Sequence, residues 1–301
     1  MKKNRINILV AAIALTCTLS AVAMDIDLSC EAQTSRLQSI ETGKFYRKGT
    51  RKEKKMEDRF AISLISKYFE PQKKVETDVF LGVYDGHGGS QVSQYLADNL
   101  HHRVVEHLGK EKDVSKAIEA IKFAYKSCEQ NSEKFPSVGS TAVAGLLLDN
   151  QLLIANVGDS RAVICWSEGK EDKYSCTKDH KPDDSEEKKR IESEGGFVHH
   201  YGVWRVGNLA VSRSIGDSPK ATGLSAEPDI LIFTLNPDYK FVIFASDGVW
   251  DVISSEEASK FVKNVLKLGR DAQKASESLL KKAQERGSID DLTVVIIRFR
   301  W

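Results

Sequence analysis

TAVAGLLLDNQLLIANVGDSRAVICW, residues 141–166, decides the fold. Thr141 to Leu148, Leu152 to Val157 and Ala162 to Trp166 are short apolar runs, punctuated by Asp149-Asn150 and Gly158-Asp159. Turn residues this close together predict three consecutive strands joined by tight reversals, and tight reversals make strands antiparallel.

Working outward, Phe60 to Ile65 and Val79 to Tyr84 read as two earlier strands, the second stopping at Asp85-Gly86. Between them and the central meander, Val92, Tyr95, Leu96, Leu100, Val104 and Leu108 fall at helical spacing. So do Val114, Ala117, Ile118, Ile121, Ala124, Tyr125 and Cys128. Residues 179–228 are polar and read as a long excursion with one short helix around Ser185 to Glu194. Ile230 to Thr234 and Phe241 to Ala245 are strands again, two helices follow at 254–267 and 271–286, and Thr293 to Phe299 is the last strand. Helices arrive in pairs rather than after every strand, which argues against a doubly wound parallel sheet and for an α+β fold with sheets covered by helix pairs.

The chain has 301 residues, 41% hydrophobic and 29% charged, enough to bury a sizeable core. Its net charge of +1 offers no general attraction for nucleic acid. Lys2, Lys3 and Arg5, an apolar run from Ile8 to Leu19 and Ala21-Val22-Ala23 have the layout of a signal peptide over residues 1–23. Without those three cations the count becomes 41 basic against 43 acidic residues. The run is about half of the ~20 residues that span a bilayer, so no stable membrane span is expected once the leader is removed. The expectation is a secreted or periplasmic protein; an uncleaved anchor, or a cytoplasmic protein whose true start is Met24, are the alternatives. Residues 24–40 read as a flexible lead-in, and 41–301 as one catalytic domain, expected to be monomeric. Arg47, Lys48, Arg51, Lys52, Lys54 and Lys55 read as a solvated basic stretch. Cys17, Cys30, Cys128, Cys165 and Cys176 are scattered, without the spacing of a zinc site.

The chemical signal is a set of acids at strand ends. Glu57-Asp58 precedes the first of these strands, Asp85-Gly86-His87-Gly88-Gly89 closes the next, Asp247-Gly248 follows Phe241 to Ser246, and Asp290-Asp291 opens the last. Aspartate beside glycine at a strand end is often only a turn. Four such sites together suit hard divalent cations, which prefer carboxylate and carbonyl oxygens. Two such cations clamp an in-line displacement at phosphorus.

The segments MEDRF, VFLGVYDGHGG, GSTA, ANVGDSRAV, DHKP, RIESEGG, LAVSRSIGD, AEPDI, FASDGVWDV and SIDDLTV occur in this order over about 245 residues. This series resembles the motifs of the metal-dependent type 2C serine/threonine protein phosphatases. The resemblance implies two packed antiparallel β-sheets flanked on both sides by pairs of helices, an αββα sandwich. It implies two Mn²⁺ or Mg²⁺ ions, with Asp85 bridging both, Asp247 and Asp290 completing the first, and Glu57 and the Gly86 carbonyl serving the second. Asp58 would orient the attacking water, Asp159 would help hold a weaker third metal, and His87 would be the general acid. The substrate would be a phosphoserine or phosphothreonine protein, hydrolysed without a covalent phosphoenzyme. Thr141 and Asn156 are expected in core or turn roles, and Arg161, Arg213 and Asp217 as structural anchors without a catalytic part.

Two positions depart from the family. The phosphate-contacting arginine usually stands four residues before the glutamate matched to Glu57; here that position is Glu53. Gly49-Thr50-Arg51 resembles the family's Gly-x-Arg with two extra residues, so Arg51 is expected to bind phosphate, with Lys54 and Lys55 as alternatives. Asp291 stands where the family usually has Asn. A pseudophosphatase and an esterase acting on small phosphate esters are the competing readings.

Overall fold

In the central meander Ala142–Leu148 pairs with Gln151–Val157 as expected, but Gly158-Asp159 is a crossing and not a hairpin turn: Arg161–Glu168 joins a second sheet. The computed structural model describes residues 37–50, 55–69 and 77–301. The leader at 1–23, most of the expected lead-in, and Arg51, Lys52, Glu53 and Lys54 lie outside the described residues.

One five-stranded sheet runs β13 (Asp229–Thr234), β7 (Gln151–Val157), β6 (Ala142–Leu148), β3 (Val79–Tyr84) and β2 (Arg59–Leu64), with every pairing antiparallel. A second runs β1 (Ser39–Arg47), β15 (Leu292–Arg300), β14 (Tyr239–Ala245), β8 (Arg161–Glu168) and β9 (Glu171–Cys176), again antiparallel throughout.

Side chains alternate across a strand, and here both faces of each central strand are covered. Val79, Leu81, Val83, Val143, Val242, Phe244, Val295 and Ile297 fill the space between the sheets. Gly145 makes room there: a Cβ on it would stand 2.8 Å from the Phe244 ring that crosses from the other sheet. On the outer face of the first sheet, Phe80, Tyr84 and Leu146 pack under α2 (Gln91–Leu108) and α3 (Val114–Ser132). On the outer face of the second, Phe241, Ile243, Val294 and Ile296 pack under α6 (Ser255–Lys267) and α7 (Ala272–Glu285). Local capping starts three of these helices: Asp113, Ser254 and Asp271 accept hydrogen bonds from the backbone N–H of Lys116, Glu257 and Lys274. The fold is thus the αββα sandwich of antiparallel sheets that the sequence implied. Among the described residues no helix is long and apolar enough to cross a membrane.

The lead-in boundary is corrected. β1 already begins at Ser39, and Leu37 is buried in the inter-sheet core. β1 is an edge strand with little apolar alternation, and its partner is β15, more than 200 positions away in the chain. The excursion at 179–228 is also richer than one helix. It holds α4 (Ser185–Ser193), a hairpin of β10 (Val198–Tyr201) and β11 (Val203–Val206), and short β12 (Ile215–Gly216). The remaining elements are α1 (Ser66–Phe69), β4 (Gly86–His87), β5 (Gly139–Ser140) and the single turn α5 (Asp247–Trp250).

Glu187 anchors the excursion. Its buried carboxylate accepts hydrogen bonds from Arg190 Nη2 at 2.9 Å, Arg213 Nη2 at 2.6 Å and Ser212 Oγ at 2.6 Å. Burial alone would raise its pKa, but the Arg213, Arg190 and Ser212 hydrogen bonds outweigh burial and hold it well below the usual carboxylate range. A depressed carboxylate adds stability above its unfolded pKa, about 4.5 here, and that stability is lost as pH falls below it. Glu187→Gln is therefore expected to cost about 3 kcal/mol near neutrality, because two half-buried guanidinium groups lose their counter-charge. Urea unfolding at a series of pH values checks this: the gap between wild type and variant should narrow as pH drops from about 6 towards about 3, and a constant gap contradicts it.

Candidate active site

Strand register brings the acids to one end of the sandwich. Tyr84 pairs with Arg59, so Asp85, just past β3, lies beside Asp58, just before β2. Ala245 pairs with Val294, so Asp247, just past β14, lies beside Asp290-Asp291, just before β15. Each sheet thus contributes one pair of acidic segments, and the two meet at the seam.

The backbone around each acid is tied down. Asp85 N–H donates to Thr141 Oγ1 at 3.1 Å, and its carbonyl accepts from Thr141 N–H at 2.9 Å and Ser140 Oγ at 3.1 Å. Thr141 therefore positions Asp85 rather than merely filling the core. Ser93 Oγ donates to the Glu57 carbonyl at 2.5 Å. A Cβ on Gly86 would stand 2.6 Å from that carbonyl and 2.8 Å from Ser93 Oγ, so only glycine lets the Gly86 backbone close on Glu57. Asp247 opens α5, whose Trp250 indole N–H donates to the Ala245 carbonyl at 2.9 Å. A Cβ on Gly248 would overlap the Asp291 carbonyl.

These carboxylates disfavour ionisation together. Asp85 is pushed well above the usual range by enclosure, then by the charges of Asp58, Asp247 and Asp159. Asp247 rises to about 7 through burial and repulsion from Asp159. Asp58 rises to about 6, chiefly through burial, which the Ser246 and Thr293 hydroxyls offset only in part. Both carboxylate oxygens of Asp58 and Oδ1 of Asp247 are buried with no hydrogen-bond partner among the described residues. Among the described residues no three His, Cys, Asp or Glu side chains are drawn in tightly enough to hold an ion as they stand, as mutual repulsion dictates. The donor set nevertheless fits hard divalent cations. It is all oxygen, it has unsatisfied buried acceptors, and a bound cation would relieve both desolvation and repulsion.

Asp159 is buried and forms an ion pair with Lys181, from the DHKP segment. Lys181 also feels Asp247 and Asp251, so one ammonium already lies among these acids. Asp251 is the acid that sequence reading missed; its pKa is raised by burial and, despite Lys181, by Asp159 and Asp290. The signal was its place one helical turn after Asp247. Arg161 forms a two-point pair with Asp179 at 2.8 and 2.6 Å, and Arg213 joins Glu187 and Asp229. Both arginines are structural anchors.

Asp217 is not only an anchor. β4, β5 and β12 form a three-stranded sheet that carries His87 to Asp217, with His87 Nε2 at 2.8 Å from Oδ1 and 3.0 Å from Oδ2. Ser214 Oγ donates to Asp217 Oδ2 at 2.6 Å. Asp217 adopts a left-handed φ of 60°, uncommon for a non-glycine residue. Gly139 lies between the partners, and a Cβ there would overlap both His87 Nε2 and the Asp217 carboxylate. The pair spans 130 positions in the chain, which no local pattern reveals.

Asp291 also has a definite task. Its Oδ1 accepts from Gly49 N–H and its Oδ2 from Glu57 N–H, both at 2.8 Å. Two donors suit a carboxylate; an asparagine would turn an NH₂ towards one of them. Asp291 thereby pins both ends of the basic loop, although Arg51 itself lies outside the described residues.

Residues 44–292 match the family model described as protein phosphatase 2C. The chain belongs to the protein phosphatase 2C family. This phosphatase 2C chain is 41% identical over 230 residues to "Probable protein phosphatase 2C 59" of Oryza sativa subsp. japonica, covering 74% of this chain and 67% of that protein. It is 36% identical over 255 residues to "Probable protein phosphatase 2C 2" of Arabidopsis thaliana, covering 82% and 64%. Among solved structures it resembles a serine-threonine phosphatase 2C from Toxoplasma gondii, with TM-score 0.75, 25% identity, and 89% and 97% of the two chains covered. It also resembles a C. elegans sex determining protein, with TM-score 0.74, 28% identity, and 87% and 65% covered.

The crowding of acids in this phosphatase 2C chain predicts an unusual stability ledger. A carboxylate whose pKa is raised by folding favours the folded state only below its unfolded pKa, about 3.8, and costs stability as pH rises above it. In chelator near neutral pH, Asp85→Asn and Asp247→Asn are expected to melt several degrees above wild type. Mn²⁺ should raise the wild-type melting temperature and have little effect on either variant. Scanning fluorimetry with and without Mn²⁺ tests this, and a wild-type transition indifferent to Mn²⁺ contradicts the ligand assignment.

Proposed function

We propose that this phosphatase hydrolyses phosphoserine and phosphothreonine in proteins, with Glu57, Asp85, the Gly86 carbonyl, Asp247 and Asp290 holding two Mn²⁺ or Mg²⁺ ions. The observation that carries this reading is the oxygen cluster at the seam, where buried oxygens of Asp58 and Asp247 lack hydrogen-bond partners among the described residues. Two divalent cations there would supply charge neutralisation for the phosphoryl oxygens and an acidified water as nucleophile. Asp58, beside Asp85, would orient that water. The reaction needs no covalent phosphoenzyme, and Cys128 and Cys165 are unsuited to form one. Cys128 and Cys165 are buried in α3 and β8, and burial pushes both thiols up to about 12.

His87 is the general acid in this reading. Asp217 receives Nε2–H and stabilises the imidazolium, which leaves Nδ1–H to act. Water oxygen attacks phosphorus, the phosphorus–oxygen bond to serine or threonine breaks, and the Nδ1 proton goes to the departing oxygen. Asp159 would hold a weaker third cation in competition with Lys181. Arg51 is the proposed phosphate contact.

Chelation is expected to abolish turnover of a phosphothreonine peptide and Mn²⁺ or Mg²⁺ to restore it. Asp85→Ala and Asp247→Ala should lose activity by orders of magnitude while staying folded. Substantial turnover after exhaustive chelation overturns the reading.

A poor alkoxide leaving group needs a proton, and an aryl phosphate does not. His87→Ala should therefore slow phosphothreonine hydrolysis by about 10²–10⁴-fold and p-nitrophenyl phosphate hydrolysis far less. Asp217→Asn should reproduce part of the phosphothreonine loss and again spare p-nitrophenyl phosphate hydrolysis. Equal losses on both substrates remove His87 from the acid role and leave the metal assignment standing.

A further inference from the structure

The end of the second sheet remote from the acids carries a groove of about 480 Å³, lined by Lys240, Lys263, Lys267, Arg298, Arg300 and Trp301 among others. Its origin is a break in the strand pattern. On β15, Leu292, Val294 and Ile296 face α6 and α7 and are buried there. The same face continues with Arg298 and Arg300, where the apolar rule for a covered face no longer holds. Opposite Arg298 stands Phe241, the last residue of β14 to join that helix-side core. The helical cover ends at this row. α6 stops at Lys267, and Arg298 Nη1 reaches only the Arg270 carbonyl in the α6–α7 connection, at 3.4 Å.

The cations are incompletely matched. Arg300 pairs with Glu41 at 2.7 Å, and Lys263 pairs with Asp172. Lys240, Lys267 and Arg298 have no ion-pair partner among the described residues, and Lys240 caps only the Pro237 carbonyl. Arg298 is pushed below its ordinary value by burial and by the neighbouring Arg300 charge, with Glu41 offsetting this only in part. Between the cations the floor is apolar, made of Phe241 and Leu266. Trp301 forms one wall, its indole N–H fixed to the Tyr239 carbonyl at 3.0 Å.

We propose that this groove docks an acidic peptide segment of a partner protein, the phosphoprotein substrate if the phosphatase reading holds. Cations from β14, α6 and β15 are spread along the groove rather than converging on one point, which suits carboxylates spaced along a chain. The apolar floor suits side chains between those carboxylates and offers nothing to a small inorganic anion. Phe241 and Asp247 are six residues apart, along β14 and two residues past its end, so groove and acidic site are separated by roughly 20 Å. A docked tract would therefore lie at least about six residues from the phosphorylated one.

The test uses the full chain and a fluorescein-labelled, unphosphorylated peptide of about 12 residues with glutamates and leucines interspersed. Anisotropy at low ionic strength should show saturable binding that weakens with added salt, as charge pairing requires. Lys240→Glu/Lys267→Glu/Arg298→Glu should weaken it by at least about tenfold while leaving p-nitrophenyl phosphate turnover unchanged. On a phosphothreonine peptide with a distal acidic tract, the same variant should raise KM with kcat held. Lys267→Glu alone, on an exposed site, should give the same ordering to a smaller degree and serves if the triple variant does not fold. Equal peptide affinity in wild type and variants overturns the proposal. So does full displacement by millimolar inorganic phosphate, which marks a small-anion site, or tighter binding of a single-stranded oligonucleotide than of the peptide. Peptide binding is read without catalysis, so failure of the phosphatase reading and failure of the docking site give different results.

Discussion

Carboxylates repel one another, and this fold holds Asp58, Asp85, Asp159 and Asp247 together where water is scarce. Much of the surrounding structure makes sense as a frame that resists their separation. Two sheets approach from opposite sides, each fixed by an antiparallel ladder and each backed by a helix pair. The acids stand at strand ends, where the ladders stop but the registers are already set. Spreading them apart would mean slipping a strand by whole residues, which would turn its apolar side chains to the wrong face. Lys181 lowers the cost by placing a cation beside Asp159, yet the burial of Asp58 is eased only in part, by the Ser246 and Thr293 hydroxyls. A protein that stores this much uncompensated acid is built to receive positive charge.

Missing side chains achieve the close approaches. Gly86 lets one backbone close on the Glu57 carbonyl, and Gly139 leaves the space in which His87 meets Asp217. At these positions the sequence signal is a glycine beside a chemically active residue. The glycine serves a contact made by its neighbour, not a turn of its own.

Legibility in the sequence followed burial. β3, β6, β7 and β14 are covered on both faces, so they read as unbroken apolar runs between turn residues and were found. β1 and β9 lie at the edges of their sheet, where SIETGKFYR and EDKYSC show little alternation; their pairing with β15 and β8 forms them. The same contrast holds at the site. Asp85, Asp247 and Asp290 announce themselves by standing at the ends of apolar strands. Asp217 does not, because its relation to His87 exists only once three two-residue strands have assembled. Asp291, noticed as a departure from the family pattern, acquired a reason only when two backbone N–H groups were seen to share its carboxylate.

The pairing of β14 with β15 unites the two charged regions of the molecule. At one end of this pair stand Asp247 and Asp290; at the other, Lys240, Arg298 and Arg300. A phosphorylated, acidic segment is repelled by the first end until divalent cations neutralise it, and attracted by the second whether or not cations are bound. Attraction to the proposed groove therefore does not depend on the state of the catalytic end. The hydrophobic rows between the ends keep the opposite charges roughly 20 Å apart, about two Debye lengths at moderate ionic strength. At that separation the basic end barely perturbs the acids, so capture and chemistry can be adjusted by substitution independently of each other.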